Sequence, residues 1–399
     1  FPDQLPDTVS PFLADMTVKD LLTMSTGQFP EPTGAIRSAG PGWVKAFLAF
    51  PVKNDPGSTF LYNSMATFML SAIVQKVTGE MLIDYLKPRL FEPLGIEGMD
   101  WEINPDSINT GGWGLRVKTE DMAKFGQLYL QKGMWNGKQV VPENWVEEAT
   151  TFKIDQEPGA LQSKRDSSDW LQGYCYQFWR CRNNAFRADG AYGQFIIVMP
   201  EKDAVVGFTA ESPDMQEEIN MVWKYLLPAM KDEPLPGNAR AAKRLKQRLE
   251  SLALPLTPKG PVSPLAETLS SKTFILEPNE PHVDSLSFGF SGDTCNMIVK
   301  ANNKTYTIPF GAGNWILSET DLTGPNILSR PGAFADNKIA GSYSWKNKNT
   351  LELVLRYIES PHTMRFTCIF ENDELTVNIH LSIPPGQYLE PMQGKLSKP

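Results

Sequence analysis

A change of hydrophobic period partway along the chain constrains its fold more than any other feature. Up to about residue 232 apolar residues recur at helical spacing, interrupted late by two β-rich runs; from about residue 265 they alternate between apolar and polar. A helical stripe and an alternating strand bury their faces differently, so the pattern predicts two cores, helices on a sheet and then sheet alone. Between them, residues 233–264 hold Pro234, Pro236 and Gly237, a basic run with Lys243, Arg244, Lys246 and Arg248, and then Pro255, Pro258, Gly260 and Pro261. That composition predicts a linker carrying one basic helix, read here as a solvated connector. The expected division is 1–232, 233–264 and 265–399.

Within the first stretch, 17–24 is a short helix. Thr17 and Asp20 stand near its start, Leu21, Leu22 and Met24 are apolar, and Gly27 stops it. Met65, Phe68, Met69, Ala72, Ile73 and Val77 repeat at helical spacing before Gly79. A third helix starts at Thr119, with Glu120 and Asp121 in its first turn, a stripe of Met122, Phe125, Leu128 and Tyr129, and Gly133 as its stop. Pro142 opens a fourth through Trp145 and Ala149. The runs 194–199 and 204–209 read as a hairpin turned by 200–203, with a helix over 215–230 to cover it. The fold class is therefore mixed α/β, of the α+β kind, an antiparallel sheet flanked by helices. Alternation over 351–357, 364–370 and 375–383 predicts a small all-β domain after it, a sandwich or a barrel.

Composition removes several function classes. The net charge of −8 argues against nucleic acid and anionic membranes as partners. No apolar run is long enough to span a bilayer. Cys175, Cys181, Cys295 and Cys368 form no C-x-x-C pair and read as free structural thiols, with no metal site. His282, His362 and His380 all lie in the last third, so a Ser-His-Asp triad confined to residues 1–260 is excluded. His362, beside Pro361, reads as structural. No H-E-x-x-H, phosphate-binding loop or strand-anchored G-x-G-x-x-G is present, and no cofactor is expected.

Four stretches stand in an order and spacing that carry a family resemblance over about residues 1–230. They are Val18 to Gly27; Tyr62-Asn63-Ser64 ahead of an apolar helix; Gly112-Trp113-Gly114-Leu115 followed by Thr119-Glu120-Asp121; and Asp189-Gly190-Ala191-Tyr192-Gly193-Gln194. Together they resemble the β-lactamase-related serine hydrolases, the class C β-lactamase, penicillin-binding-protein and esterase type. That resemblance implies a β-lactamase/transpeptidase-like fold and chemistry on a small-molecule substrate (an ester, an amide or a peptidoglycan-like compound) through an acyl-enzyme. In the family a serine opens a helix, and a lysine three residues on takes its proton. A tyrosine relays that proton, and a backbone N–H on an edge strand helps hold the oxyanion.

Carried over by position, Tyr62 is the tyrosine and Ser64 the third residue of its motif, placed also as the cap of the helix that follows. Gly190 belongs to the edge strand and the Ala191 N–H is the oxyanion donor. Trp113, Tyr174, Asp189 and Tyr192, with Trp179, are placed as substrate-binding residues. Ala188 departs from the pattern, since relatives carry Lys or His there; this weakens recognition of a substrate carboxylate. Arg187 is adjacent and expected on the opposite face of the strand. No serine in the chain has a lysine three places later. The resemblance starts just beyond where relatives hold the nucleophile helix, so Ser-x-x-Lys is expected upstream of Phe1 and the chain alone is expected to form no acyl-enzyme. The alternative is a non-catalytic binding protein of the same fold. Oligomeric state and compartment are left open.

Overall fold

Thr17 begins the helix α1 (Val18–Leu22), as its residue type predicts: its N–H and its hydroxyl both donate to the Asp20 carboxylate, at 2.8 and 2.6 Å. The computed structural model describes residues 1–270, 272–322, 337–383 and 387–397, which divide into two units, Phe1–Asp232 and Glu233–Pro399.

In the first unit, α2 (Ser64–Thr78) buries Met65, Ala66, Phe68, Met69 and Ala72 along one face and ends at Gly79. Val77, counted in the same stripe from its spacing, stands 79% exposed in the last turn. The sheet is an antiparallel meander of β1 (Trp179–Arg180), β2 (Phe186–Gly190), β3 (Gln194–Met199) and β4 (Ala204–Phe208), in that spatial order. Strand β3 is covered on both faces. Phe195, Ile197 and Met199 pack with Ile219 and Val222, while Val198 packs with Tyr129, Val146 and Phe178. Tyr129 lies on α3 (Thr119–Leu130) and Val146 on α4 (Glu143–Thr150). Gly126 lets α3 press onto the sheet, because a Cβ there would come within 2.6 Å of Val205 Cγ1 and 2.7 Å of Ile196 Cγ2.

The covering helix expected over 215–230 is regular only as α5 (Met215–Met221). The next residues form a wider π-helical turn, Val222–Leu226, and a tighter 3-10 turn, Leu227–Ala229. Pro228 has no N–H to extend an i→i−4 ladder.

In the second unit, α6 (Ala239–Glu250) is the basic helix, and α7 (Leu265–Leu269) precedes the strands. The all-β part is a barrel and not a sandwich. Its strands are β5 (Thr273–Leu276), β6 (Val283–Ser291), β7 (Thr294–Ala301), β8 (Lys304–Ala312), β9 (Ile316–Thr320), β10 (Asn337–Asn347), β11 (Thr350–Tyr357), β12 (His362–Glu371), β13 (Glu374–Leu381), β14 (Gln387–Tyr388) and β15 (Met392–Leu396). They pair in the order β8-β7-β6-β5-β15-β13-β12-β11-β10. The ring closes where Gly311 and Ala312 of β8 meet Ser342 and Tyr343 of β10. Strand β9 takes up the rest of that edge, from Asn337 to Gly341.

Alternation places Cys295, Met297, Val299 and Ala301 of β7 and Leu375, Val377, Ile379 and Leu381 of β13 inside the barrel, in one apolar cluster with Phe288, Phe310, Trp345 and Phe370. His362 is buried, with Nδ1 3.0 Å from Ser360 Oγ, and all four cysteines are free and buried. Among the described residues no single helix is long and apolar enough to cross a membrane, and no His, Cys, Asp and Glu cluster could hold a metal.

Candidate active site

The segment entering α2 is fixed by Asn63, not by Ser64. The Asn63 side-chain oxygen accepts from the N–H groups of Met65 and Ala66, at 3.0 and 3.1 Å, and so caps the helix. Its amide donates to Gln28 Oε1 at 2.9 Å, and Gln28 donates in turn to the Phe47 carbonyl at 2.9 Å. The expectation that Ser64 caps this helix is therefore corrected: Ser64 is the first helical residue, one position too late to reach those donors. A fully buried asparagine with both ends of its amide engaged pins the backbone on which Tyr62 rides.

Tyr62 projects from that anchored segment and is 42% exposed. Its ring stacks on Trp179 at 5.8 Å and 15° and meets Tyr174 edge-on at 6.4 Å and 88°. Tyr174 is buried at 2% exposure, between Phe60 at 5.1 Å and Trp179 at 4.8 Å. Partial burial, and then the Asp189 carboxylate nearby, push the Tyr62 phenol above its ordinary range. The side chain is therefore held as a neutral phenol.

Trp179 is held from the far side by strand β2. Arg187 is fully buried, with its guanidinium over the Trp170 ring at 4.2 Å and the Trp179 ring at 5.3 Å. Its Nε donates to Asp189 Oδ2 at 3.1 Å, and its Nη1 donates to the Asp169 carbonyl at 2.8 Å. The Trp179 indole also donates to Asp189. Burial still dominates and raises the Asp189 carboxyl above the usual carboxylate range. The period of two puts Arg187 and Asp189 on one face of β2, the face that carries Trp179. Ala188 turns the other way, against the cluster of Tyr129, Phe178 and Val198. The strand residues on Tyr62's side are thus an arginine and an aspartate that neutralise each other.

Beyond Asp189 the chain turns back through Gly190, exposed Ala191, Tyr192 and Gly193 into β3. Gln194 Nε2 donates to the carbonyls of Ala191 at 3.2 Å and Ala210 at 2.7 Å, and the Tyr192 carbonyl accepts from Ser212 N–H at 3.0 Å. Tyr192 and Gly193 both have positive φ, 66° and 100°. The φ of 100° favours glycine at 193, and a Cβ there would also lie 2.9 Å from Ala210 Cβ and displace the Glu218 carboxylate. Burial first, and then Asp214, push the Glu218 carboxyl up to about 7.

The structure thus brings Tyr62, Tyr174 and Asp189 together, with Gly190, Ala191 and Tyr192 on the adjoining turn and Ser64 at the start of α2. Trp113 turns inward, although its neighbour Gly112 lies against the Ser64 backbone. It is buried at 8% exposure, with its ring 5.8 Å from Trp43 and under the Arg37 guanidinium at 5.6 Å. Sequence reading passed over Asn63, Gln177 and Trp170, and it left Arg187 on the far face. Gln177 ties the unit together: it accepts from the Thr67 hydroxyl at 2.8 Å and donates through Nε2 to the Leu22 carbonyl at 3.1 Å. Its positive φ of 61° and its non-local partners leave no periodic trace in the sequence. The Arg187–Asp189 pair did leave one, the strand alternation itself.

An antiparallel meander covered by helices, with a capped helix presenting a tyrosine beside the β2–β3 hairpin, defines a β-lactamase-like unit followed by an all-β barrel; the strand that carries Gly190, expected at the edge, lies inside the sheet between β1 and β3. Residues 3–227 match the family model described as Beta-lactamase, so the chain belongs to the β-lactamase family of hydrolases. It is 27% identical over 184 residues to the 6-aminohexanoate-dimer hydrolase of Paenarthrobacter ureafaciens, a match covering 45% of this chain and 46% of that protein. The chain therefore spans about half the length of that curated relative. Among solved structures, a Bacillus anthracis protein provisionally described as a 6-aminohexanoate-dimer hydrolase aligns at 21% identity and a TM-score of 0.46, over 62% of this chain and 68% of that one. The octameric penicillin-binding protein homologue of Pyrococcus abyssi aligns at 15% identity and a TM-score of 0.39, over 98% and 83%.

Proposed function

We propose that this protein is a serine hydrolase that cleaves small esters, amides or peptidoglycan-like substrates through an acyl-enzyme. Tyr62 relays the proton, Ser64 supports the hydrogen-bond network at the start of α2, and the Ala191 N–H serves as an oxyanion donor. The observation that carries this reading is the setting of Tyr62. Tyr62 is 42% exposed as a residue, its ring is held by Trp179 and Tyr174, and it stands beside the strand that leads into the Gly190–Ala191 turn. A neutral phenol next to a carboxylate suits a proton shuttle and disfavours a tyrosinate base. The absence of Lys or His at Ala188 turns the preference away from substrates recognised through a carboxylate. The curated relative, named as a hydrolase of an amino-acid dimer, fits an amide or ester substrate better than a β-lactam.

The reading requires a Ser-x-x-Lys pair, which residues 1–399 do not contain. Its test is to read the codons preceding Phe1 and to treat the extended protein with a fluorophosphonate probe. Labelling of a serine in a Ser-x-x-Lys sequence is expected, slowed about a hundredfold in Tyr62→Phe. No such codons, or an unchanged labelling rate in the variant, would remove it. The lack of Ser-x-x-Lys favours a second reading, a binding protein that keeps the same pocket. That reading expects saturable calorimetric binding of cell-wall peptides or esters to the 399-residue chain with no covalent adduct.

A further inference from the structure

We propose that α6 and the leucines that follow it form an interfacial anchor that lays this protein on anionic lipid bilayers. Every residue from Ala239 to Glu250 is exposed. Leu245 and Leu249 stand at i and i+4 and share one face of α6, at 60% and 57% exposure, and Leu252 follows just past the helix end at 59% exposure. Leu254 and Leu256 extend the same apolar run past the helix at 58% and 42% exposure. Five leucines uncovered within so short a stretch are a patch that calls for a cover.

The charges identify that cover. Arg240, Lys243, Arg244, Lys246 and Arg248 face a single acid, Glu250, which Lys246 meets at 3.9 Å. The other four cations have no ion pair among the described residues. Arg244 and Arg248 border the leucine stripe on one side and Lys246 borders it on the other. A second copy of the helix would set cation against cation along both borders, which argues against self-association. A soluble polyanion would satisfy the charges and leave the leucines in water. An anionic bilayer covers both at once: the leucines enter the boundary of the acyl region while the long basic side chains reach the headgroups. The chain's net charge of −8 hides this element, because a whole-chain sum averages away a segregated basic helix. The rest of the surface is repelled by the same bilayer, so binding runs through α6 alone. The inference stands whether or not the Tyr62 site is catalytic.

The test is co-sedimentation of the 399-residue protein with vesicles of phosphatidylcholine alone or mixed with phosphatidylglycerol, at low and high salt. Pelleting is expected with the anionic vesicles only, weakening as salt rises. Arg244→Gln with Arg248→Gln should lower the affinity about fivefold per charge removed. Leu245→Gln with Leu249→Gln, which leaves every cation in place, should lower it at least about tenfold. Because α6 buries none of its residues, thermal melts of both variants should match that of the parent protein and exclude misfolding. Three results overturn the proposal: no pelleting with anionic vesicles, equal pelleting with neutral ones, or a leucine variant that binds as well as the parent.

Discussion

At the centre of the first unit, Arg187 and Asp169 are fully buried, Asp189 is nearly so, and their hydrogen bonds run to tryptophans, backbone carbonyls and Gln216. At the centre of the barrel are Phe288, Phe310, Leu351, Leu353 and Leu375, with Cys295, Cys368, Met297 and the rings of Tyr343, Trp345 and Tyr357 in the same cluster and no charged side chain among them. Both interiors are closed to water, but they are held by different forces. The barrel core gains from apolar burial and needs only the right volume and pattern. The first unit spends part of its stability on desolvating charges, a cost that is recovered only if each one meets its partner. Such an interior specifies geometry: it fixes which way Trp179 faces, and through Trp179 the ring of Tyr62.

The sharpest break of this contrast is Asp189→Ala. It strands the buried Arg187 guanidinium and should cost about 3–5 kcal/mol in urea unfolding. Replacing the pair by Arg187→Met with Asp189→Leu should recover most of that loss, while Tyr62 loses its fixed stacking partner. A double variant as unstable as the single one would show that the pair stabilises the fold outright. On the barrel side, Leu353→Ala removes a fully buried side chain and should cost about 3 kcal/mol as a cavity, with no partner substitution able to restore it except one of equal volume.

Two carboxyls of the first unit should respond to pH with opposite sign. Burial works against ionised Asp169, but donation from Arg182, Trp223 and Gln216 outweighs it and holds the carboxyl below the usual range. Its contribution is therefore present above the unfolded carboxylate value, near 4, and is lost as pH falls through the lower folded value. Glu218, pushed up to about 7, does the reverse: the fold favours its protonated form, so stability falls as pH rises from about 4.5 through about 7. Asp169→Asn should flatten the acid limb of a melting-temperature profile. Glu218→Gln should raise the melting temperature at pH 8 and leave it unchanged at pH 4, and a parallel shift at both would refute that reading. The smallest effect belongs to Tyr62→Phe. The residue is 42% exposed and the stacked ring is kept, so the loss of stability should stay within about 0.5 kcal/mol while labelling of the extended protein slows.

The pattern in the chain made much of this legible. The capping of α1 by Thr17 and Asp20, the buried face of α2, the hairpin of β3 and β4, and the alternation in β11, β12 and β13 all depend on residues within a turn or a strand of one another. Two expectations gave way where a local rule met a distant partner, and a third gave way to the missing N–H of a proline. Asn63 took the cap from Ser64 because its amide could also reach Gln28. Trp113 went into the core against Trp43. The helix after Met215 lost its regularity toward Pro228, although the apolar spacing continues.

What the sequence alone determined is the elements with a clear period, among them α2, α3, β3, β4 and β11 to β13, with most of their buried faces, because periodicity is written in neighbours at i+2, i+3 and i+4. It also determined the family, through motifs short enough to read locally. Only the tertiary structure decided that the alternating strands close into a barrel at Gly311 and Ser342, and that Trp179 and Tyr174 are what grip Tyr62. It alone decided that the charges on β2 face that grip. Those choices join residues as far apart as Leu22 and Gln177, 155 positions along the chain. At such separations no local preference acts, and only complementary packing and the pairing of buried charges select the partner.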